Sequence, residues 1–582
     1  MTLARLAGGI VYDPANGVNG ERRDLYFRDG RIVDAPQGAH IDHDYDARDM
    51  IVMAGGIDLH SHIGGGKTNL SRLLLPEDHR NDAPRDAAYE AVRDPQGRYL
   101  RMPSCGVCTP GTLATGYRYA EMGYTAAFEP AMIASNARHA HLEMGDTPII
   151  DHGAYVMLGN DELLLQMLAA RADFDRLRDY IGWTINSSRA LGVKVVNPGG
   201  ISAFKFNQRS LDVDEAHTHY GITPRDILRT LTRALTELRV PHPLHVHASN
   251  LGVPGNVAST IATMDAADGL PIHVTHIQFH SYGTEGPRKF SSGAREIAEA
   301  VNARPNVTID VGQIIFGQTV TASGDTMMQF KNAPLAQPRK WVLGDIECDA
   351  GCGVVPFRYR EQSYVNALQW IIGLEIFLLV DDPWRVSMTT DHPNGGPFTS
   401  YPHLIRLLMD KSFRDEQLDR LHPEAKVASA LPELKRELSL YEIAIITRAG
   451  PARLLGLNDR GQLGTGAAAD IAVYRNDADR ERMFTSPAYV FKDGTLVARD
   501  GNLVATPTGG IHYVSPDYDR GIEKTVRAYA DENLVGGFAH TAISDDEICA
   551  CCRGGRLLPV ECFEHGADPT APRAARPAAS PP

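Results

Sequence analysis

The residues best suited to chemistry begin with His60 and His62, which end the apolar run over residues 50–59. In a strand, alternate side chains share a side. Two imidazoles two residues apart at a strand end can therefore grip one divalent cation, and imidazole suits zinc and its neighbours. The same spacing recurs at His139/His141, His217/His219 and His245/His247. His139 and His141 fall in a helix-like stretch, where such positions do not face one another. His217 and His219 fall in a polar loop. All four read as structural or solvated. On the third pair the choice is His247, nearer the predicted strand end, with His245 inside the barrel or behind the ligands. For the same reason His276 is chosen over His273.

Among the remaining candidates, His247, His276 and Asp391 close predicted strands, and Lys194 sits in a short predicted strand closed by a turn. Lys194 is the unusual member. A lysine within an apolar strand is costly as a cation, and desolvation beside two metal ions lowers its pKa. A neutral amine adds carbon dioxide to give a carbamate, an anionic oxygen ligand able to bridge two metals. Taken alone, Lys194 reads as a snorkelling or salt-bridged lysine. Four strand-end histidines and an aspartate reverse that reading.

These groups need a scaffold that brings strand ends to one rim. Thr223 caps a helix with Pro224 in its first turn, and Ile227, Leu228, Leu231, Leu235 and Leu238 share a helical face. Strands are expected over residues 243–247, 271–277, 306–311 and 385–390, and helices over 255–267, 293–304 and 361–380. Such alternation over some 400 residues implies parallel βα units. The predicted fold is α/β: a (β/α)8 TIM-like barrel with chemistry at the C-terminal strand ends. Residues 1–50 and 464–498 read as short strands with turn signals at Asp29-Gly30 and Asp493-Gly494. They predict a small β-sandwich built from both chain ends, over 1–51 plus 452–540. The barrel then spans 52–451, and residues 64–110 form an inserted loop above its mouth. The last twenty residues, 563–582, read as a disordered tail.

The 582 residues carry a net charge of -14, which argues against nucleic acid or an anionic membrane as the main partner. No secretory signal is visible at the start. The apolar stretch 370–380 is too short for a bilayer and contains Glu375, so a buried helix is expected. Eight cysteines in this length do not make a disulfide scaffold, which points to a reducing cytoplasm. Cys105, Cys108, Cys348 and Cys352 could form a zinc knuckle if the fold brought them together; the simpler reading is buried thiols. Cys549, Cys551 and Cys552 are too crowded for one tetrahedral site.

The pattern HxH, lysine, histidine, histidine, aspartate resembles the carbamylated-lysine branch of the amidohydrolase superfamily. The segments at His247-Ala-Ser-Asn250 and Asp391-His-Pro look like those of hydantoinases and dihydroorotases. Longer stretches are more specific. Ala54-Gly-Gly-Ile-Asp-Leu-His-Ser-His62 and its continuation to Asn69, Thr115-Gly-Tyr-Arg-Tyr-Ala-Glu-Met-Gly-Tyr124, Glu129-Pro-Ala-Met132, Lys194-Val-Val-Asn-Pro-Gly-Gly200 and Asn250-Leu-Gly-Val-Pro-Gly-Asn256 resemble the A subunits of formylmethanofuran dehydrogenase and of the methylotroph formyltransferase/hydrolase complex. The resemblance covers residues 5–530.

It implies hydrolysis of an N-formyl derivative of a methanofuran-type one-carbon carrier to formate and free amine, within a complex holding B, C and D subunits. It implies two divalent metal ions, zinc first. His60, His62 and Asp391 would hold one and His247 and His276 the other, with N6-carboxylysine at Lys194 bridging both. Asp391 would move the proton, and Asn250 would contact substrate. The alternatives are a cyclic amidohydrolase acting on hydantoin-like rings and a non-catalytic scaffold with a relict barrel. Relicts lose ligands, whereas all six positions are filled here.

Overall fold

The computed structural model describes residues 2–74, 78, 106–321, 334–338, 355–551 and 556–562. Among them, eight parallel strands build the barrel: β1 (Gly56–Asp58), β2 (Tyr124–Met132), β3 (Asp151–Met157), β4 (Gly192–Val196), β5 (Leu244–His247), β6 (Ile272–Val274), β7 (Val307–Asp310) and β8 (Val386–Ser387). Each pairs in parallel with its successor. Beyond the ends of β1 and β8, Ser61 and His392 form a parallel bridge, and the His62 N–H donates to the His392 carbonyl at 2.8 Å. That contact joins the first stave to the last at the rim where the candidate ligands lie.

Helices cover the outside. Helix α1 (Phe174–Ser188) follows β3. Helix α2 (Pro224–Glu237) follows β4, and its start is fixed by a reciprocal cap: Thr223 accepts from the Asp226 N–H while the Asp226 side chain accepts from Thr223. Ile227, Leu228, Leu231 and Leu235 are its buried face. Helix α3 (Tyr364–Leu379) precedes β8 and is buried on nearly every side, as expected of the apolar stretch around Glu375. Among the described residues no helix is long and apolar enough to cross a membrane.

The apolar run over 50–59 is not one strand. Met50–Ala54 belongs to the second sheet, and the barrel strand starts at Gly56. Gly55 makes the transfer possible: a Cβ there would sit 2.2 Å from Thr125 Oγ1, so no larger residue passes between the sheets. One short stretch thus ties both sheets to His60.

Among the described residues the second sheet has nine strands from both chain ends, with Ile471–Arg475 beside Met50–Ala54 and Leu3–Asp13 on the other side. Asp29-Gly30 and Asp493-Gly494 are its tight hairpins, all four residues at positive φ. The sheet folds over itself: Ile32 N–H donates to the Ala467 carbonyl and Ala469 N–H to that of Gly30. Leu6, Val11, Phe27, Val52, Ile471 and Phe491 pack between its halves. This is the expected sandwich-like unit. The sheet finishes at Leu503, however. Gly510–Val514, placed in that unit by the sequence reading, pairs with β3 of the barrel and carries Arg556–Val560 in parallel. The Asp151 carboxylate accepts the Gly510 N–H at 2.7 Å, and Gly509 lets the backbones approach where a Cβ would clash with the Ile150 carbonyl.

Of the insertion over 64–110, the helix Gly66–Leu74 and residues 106–110 are described. Cys105, Cys348, Cys352, the side chains of Cys549, Cys551 and Cys552, and the tail from 563 lie outside the described residues. Cys108 is buried, with its thiol donating to the Gln318 carbonyl at 3.3 Å.

Candidate metal centre

The first half of the site stands on β1 and β8. His60 and His62 follow β1 directly, and both are fully buried. Asp391, after β8, turns back at positive φ. Its Oδ1 lies 2.9 Å from His60 Nε2 and 3.6 Å from His62 Nε2. The Asn394 amide donates to the same oxygen at 2.8 Å. Burial alone would raise the Asp391 pKa, but His276, His60 and His62 outweigh it and hold the carboxyl well below its ordinary range. It is therefore a carboxylate at neutral pH.

The second half stands on β4, β5 and β6. Lys194, in the middle of β4, points inward and is 1% exposed. Its Nζ lies 3.5 Å from His60 Nε2. Burial pushes its pKa down to about 8, against the opposing pull of Asp391, Asp310 and Glu129. An amine so placed reaches its neutral form near physiological pH. His247 ends β5. His276 follows β6 in a left-handed conformation at φ 34°, made possible by Gly312, where a Cβ would lie 2.4 Å from that of His276. The His247 and His276 rings are 4.5 Å apart. Burial keeps both imidazoles neutral, His247 well below its ordinary pKa and His276 at about 4. Neutral imidazoles are what cation binding needs.

Hydrogen bonds behind the first half aim the rings. His62 Nδ1–H donates to Glu129 Oε1 at 3.0 Å, which turns Nε2 toward Asp391. Glu129 is itself locked by the N–H groups of Ile63, Gly64 and Ala131. His60 Nδ1 faces Thr275 Oγ1, His245 Nε2 at 2.8 Å and Asp310 Oδ2 at 3.6 Å. His245 continues to His242 at 3.0 Å. The His273 ring stacks on it and meets Asp310 Oδ2 at 3.1 Å. The barrel interior is thus a stack of hydrogen-bonded imidazoles that turns His60 Nε2 toward Asp391 and Lys194. His245 and His273 lie behind the site, where the strand positions put them.

The sequence reading passed over Glu129, Asp310 and His280. Glu129 had a signal, as a carboxylate in an otherwise apolar strand, and Asp310 closes β7 as the chosen ligands close theirs. His280 sits on the short turn Ile277–His280, outside any strand pattern. His139 is exposed on its helix, His141 is buried against the Ser188 carbonyl, and His219 stacks on Phe206. Asn250 donates to Ser259 Oγ at 2.8 Å and lines a cavity of about 290 Å³ with Asp212 and Glu215, beside the ligands rather than among them.

The donor set fits two divalent cations. His60, His62 and Asp391 bring ligand atoms within 4.8 Å of one another, and His247, His276 and His280 do the same. His247 Nε2, His276 Nδ1 and the Gln278 amide are buried without hydrogen-bond partners. Orphaned polar atoms are rare in a finished interior, and a cation or polar ligand would satisfy them. Lys194 Nζ lies beside His60, and its charge is felt by His247 and His276.

A model of the amidohydrolase family matches residues 45–498. The A subunit of the formyltransferase/hydrolase complex Fhc of Methylorubrum extorquens is 43% identical over 548 residues, 93% of this chain and 97% of that protein. Protein FwdA of Methanocaldococcus jannaschii is 40% identical over 529 residues, 88% of this chain and 90% of that protein. Among solved structures, the crystal structure of the formyltransferase/hydrolase complex (FhcABCD) from Methylorubrum extorquens with methylofuran superposes with a TM-score of 0.86. That match has 42% identity and covers 96% of this chain and 100% of that one. The matched family model and these relatives show that the chain belongs to the amidohydrolase family, in the group of FwdA and the Fhc A subunit.

Proposed function

We propose that this chain hydrolyses the N-formyl amide of a methanofuran-type carrier, giving formate and the free amine, as the A subunit of a complex with B, C and D partners. The observation that carries this reading is the convergence of His60, His62, Lys194, His247, His276 and Asp391 in one buried place. The relatives supply the substrate class and the partners: one belongs to a multi-subunit complex, and that complex has been crystallised with methylofuran.

His60, His62 and Asp391 would hold one divalent cation, and His247 and His276 the other, with Lys194 as a carbamate between them. Zinc suits this set, and iron or manganese is compatible with it. When bound, the cations bring a water's pKa toward neutrality and polarise the formyl carbonyl. The chain's own residues do the rest. Asp391, held as a carboxylate, takes the water's proton and returns it to the leaving nitrogen. Glu129 fixes the tautomer of His62, and the Asp310–His245–Thr275 group fixes that of His60. Enclosure of all these groups excludes bulk water and strengthens each interaction.

The test is formate release from the N-formyl carrier by the purified complex, set against ring opening of a dihydropyrimidine. Formate release with no ring opening is expected. Lys194→Ala and Asp391→Asn should each keep the complex intact and lose at least about 90% of the activity, from the usual size of metal and proton-transfer effects. Retention of more than about a tenth of the activity in either variant overturns the assigned roles. Ring opening instead selects the cyclic amidohydrolase, and a wild-type chain without metal selects the scaffold.

A further inference from the structure

Two clusters beside the proposed ligands could each add a donor, and they differ in one respect. His60, His245 and Asp310 bring their ligand atoms within 4.8 Å, but His245 spends both ring nitrogens on hydrogen bonds, to His60 and to His242. Asp310 is likewise engaged by His273, the Thr389 hydroxyl and the His276 N–H. That cluster is complete without a cation. The other contains His280. Its ring is fully buried, 5.3 Å from the His247 ring and 5.3 Å from that of His276, nearly parallel to the latter. The backbone of Ser249 lies near it, yet neither ring nitrogen makes a hydrogen bond of ordinary geometry. His247 Nε2 and His276 Nδ1 in the same cluster are also without partners. Three buried imidazoles with unspent nitrogens and ligand atoms within 4.8 Å form a set that one cation completes.

We infer that His280 is a third imidazole ligand of the cation held by His247 and His276. The inference rests on the two-cation reading above and deepens it. It makes the centre chemically uneven. The half with Asp391 mixes nitrogen and oxygen donors, whereas the other half offers three neutral imidazoles. That all-nitrogen face favours zinc or cobalt over harder cations. Three imidazoles would hold that cation without depending on the Lys194 carbamate, matching the three protein ligands of catalytic zinc.

The backbone part of His280 is held independently of its ring: the Thr260 hydroxyl donates to its carbonyl at 2.8 Å. Substitution of the ring therefore leaves the turn its anchor. The experiment is titration of the metal-stripped complex with Co2+, following stoichiometry, affinity and the visible d–d spectrum, which responds to the ligands on the metal. Wild type should take two equivalents per chain. His280→Ala should bind one of them at least about tenfold more weakly, and at saturation its spectrum should differ. A saturated His280→Ala spectrum identical to wild type overturns the inference, whatever the affinity. Should His280→Ala fail to assemble, His280→Gln carries the same comparison. A wild-type chain taking fewer than two equivalents overturns the two-cation reading itself. Failure of His280 alone requires wild type to bind two.

Discussion

Each imidazole of the first half presents one nitrogen to the site because the other is occupied. Glu129 is the clearest case, since it accepts from His62 Nδ1–H and from three backbone N–H groups. All of those partners are donors, so only a carboxylate satisfies them together. Glu129→Gln puts an amide NH2 among donors: it either faces a backbone N–H or turns toward His62 and reverses its tautomer. Affinity for one of two cations should fall about 10- to 100-fold, the usual cost of losing such a supporting carboxylate. Competition against a chelator measures it, and unchanged affinity in a folded variant would show that the His62–Glu129 contact has no hold on the metal. His60 is supported differently, through the Thr275 hydroxyl and the His245 imidazole, with the Asp310 carboxylate farther off at 3.6 Å. Removal of Asp310 therefore loosens a network, whereas Glu129→Gln perturbs one ring.

At the scale of elements, the sequence was most legible where chemistry coincides with periodicity. His60, Lys194, His247, His276 and Asp391 each lie in or just beyond a short apolar run, and a run that ends in a polar group at a barrel rim points that group inward. Legibility failed where backbone geometry, not pattern, decides. Nothing in the apolar run over 50–59 says that it changes sheets, because the reason is the space at Gly55 beside Thr125. His280 was invisible because a short turn beyond β6 has no strand register to read. Gly510–Val514 reads like its neighbours in the end sheet, yet it joins the barrel by pairing with β3 and through hydrogen bonds from Gly510 and His512 to Asp151. Helix α3 was legible as buried, and it carries a consequence. Glu375, 1% exposed, accepts from the Ser292 hydroxyl and the Ala430 N–H. Burial pushes its carboxyl up from 4.5 to about 7. A raised folded-state pKa means that its contribution is full below about 4.5 and is lost as pH climbs to about 7. That gap is worth roughly 3 kcal/mol. Glu375→Gln keeps an acceptor and cannot ionise. Urea unfolding at about pH 5 and about pH 8 should show the variant losing less stability than wild type over that interval. Equal losses in the two proteins would mean that Glu375 is not the buried acid described.

For the whole molecule the decisive joint is where end sheet and barrel meet. Lys492 and Arg460, both nearly inaccessible, are enclosed by Asp151 of β3 and by Asp470 and Asp493 of the end sheet. Lys492 Nζ reaches Asp151 and Asp470 at 2.9 Å and Asp493 at 3.3 Å. Arg460 reaches Asp151 at 3.0 Å and Asp493 at 2.8 Å. His512 and the Gly510 N–H complete the ring around Asp151. Two buried cations among three carboxylates, of which Asp151 and Asp470 are also buried and Asp493 is partly exposed, fasten the two sheets. Removing one partner of such a buried set costs about 3–5 kcal/mol, because the others stay desolvated and uncompensated. Lys492→Met is therefore expected to destabilise the chain by that order. The loss should be local at first: amide exchange should rise in the strands around Ile471–Arg475 and Met50–Ala54 before it rises in β4 and β5. Met50–Ala54 leads directly into β1 and His60, so a loosened joint should also weaken cation binding at the His60–His62–Asp391 half. The His247–His276 half, carried on β5 and β6, should be spared. Uniform exchange across both sheets, or equal weakening of both cation sites, would show that the joint does not separate the molecule in this way.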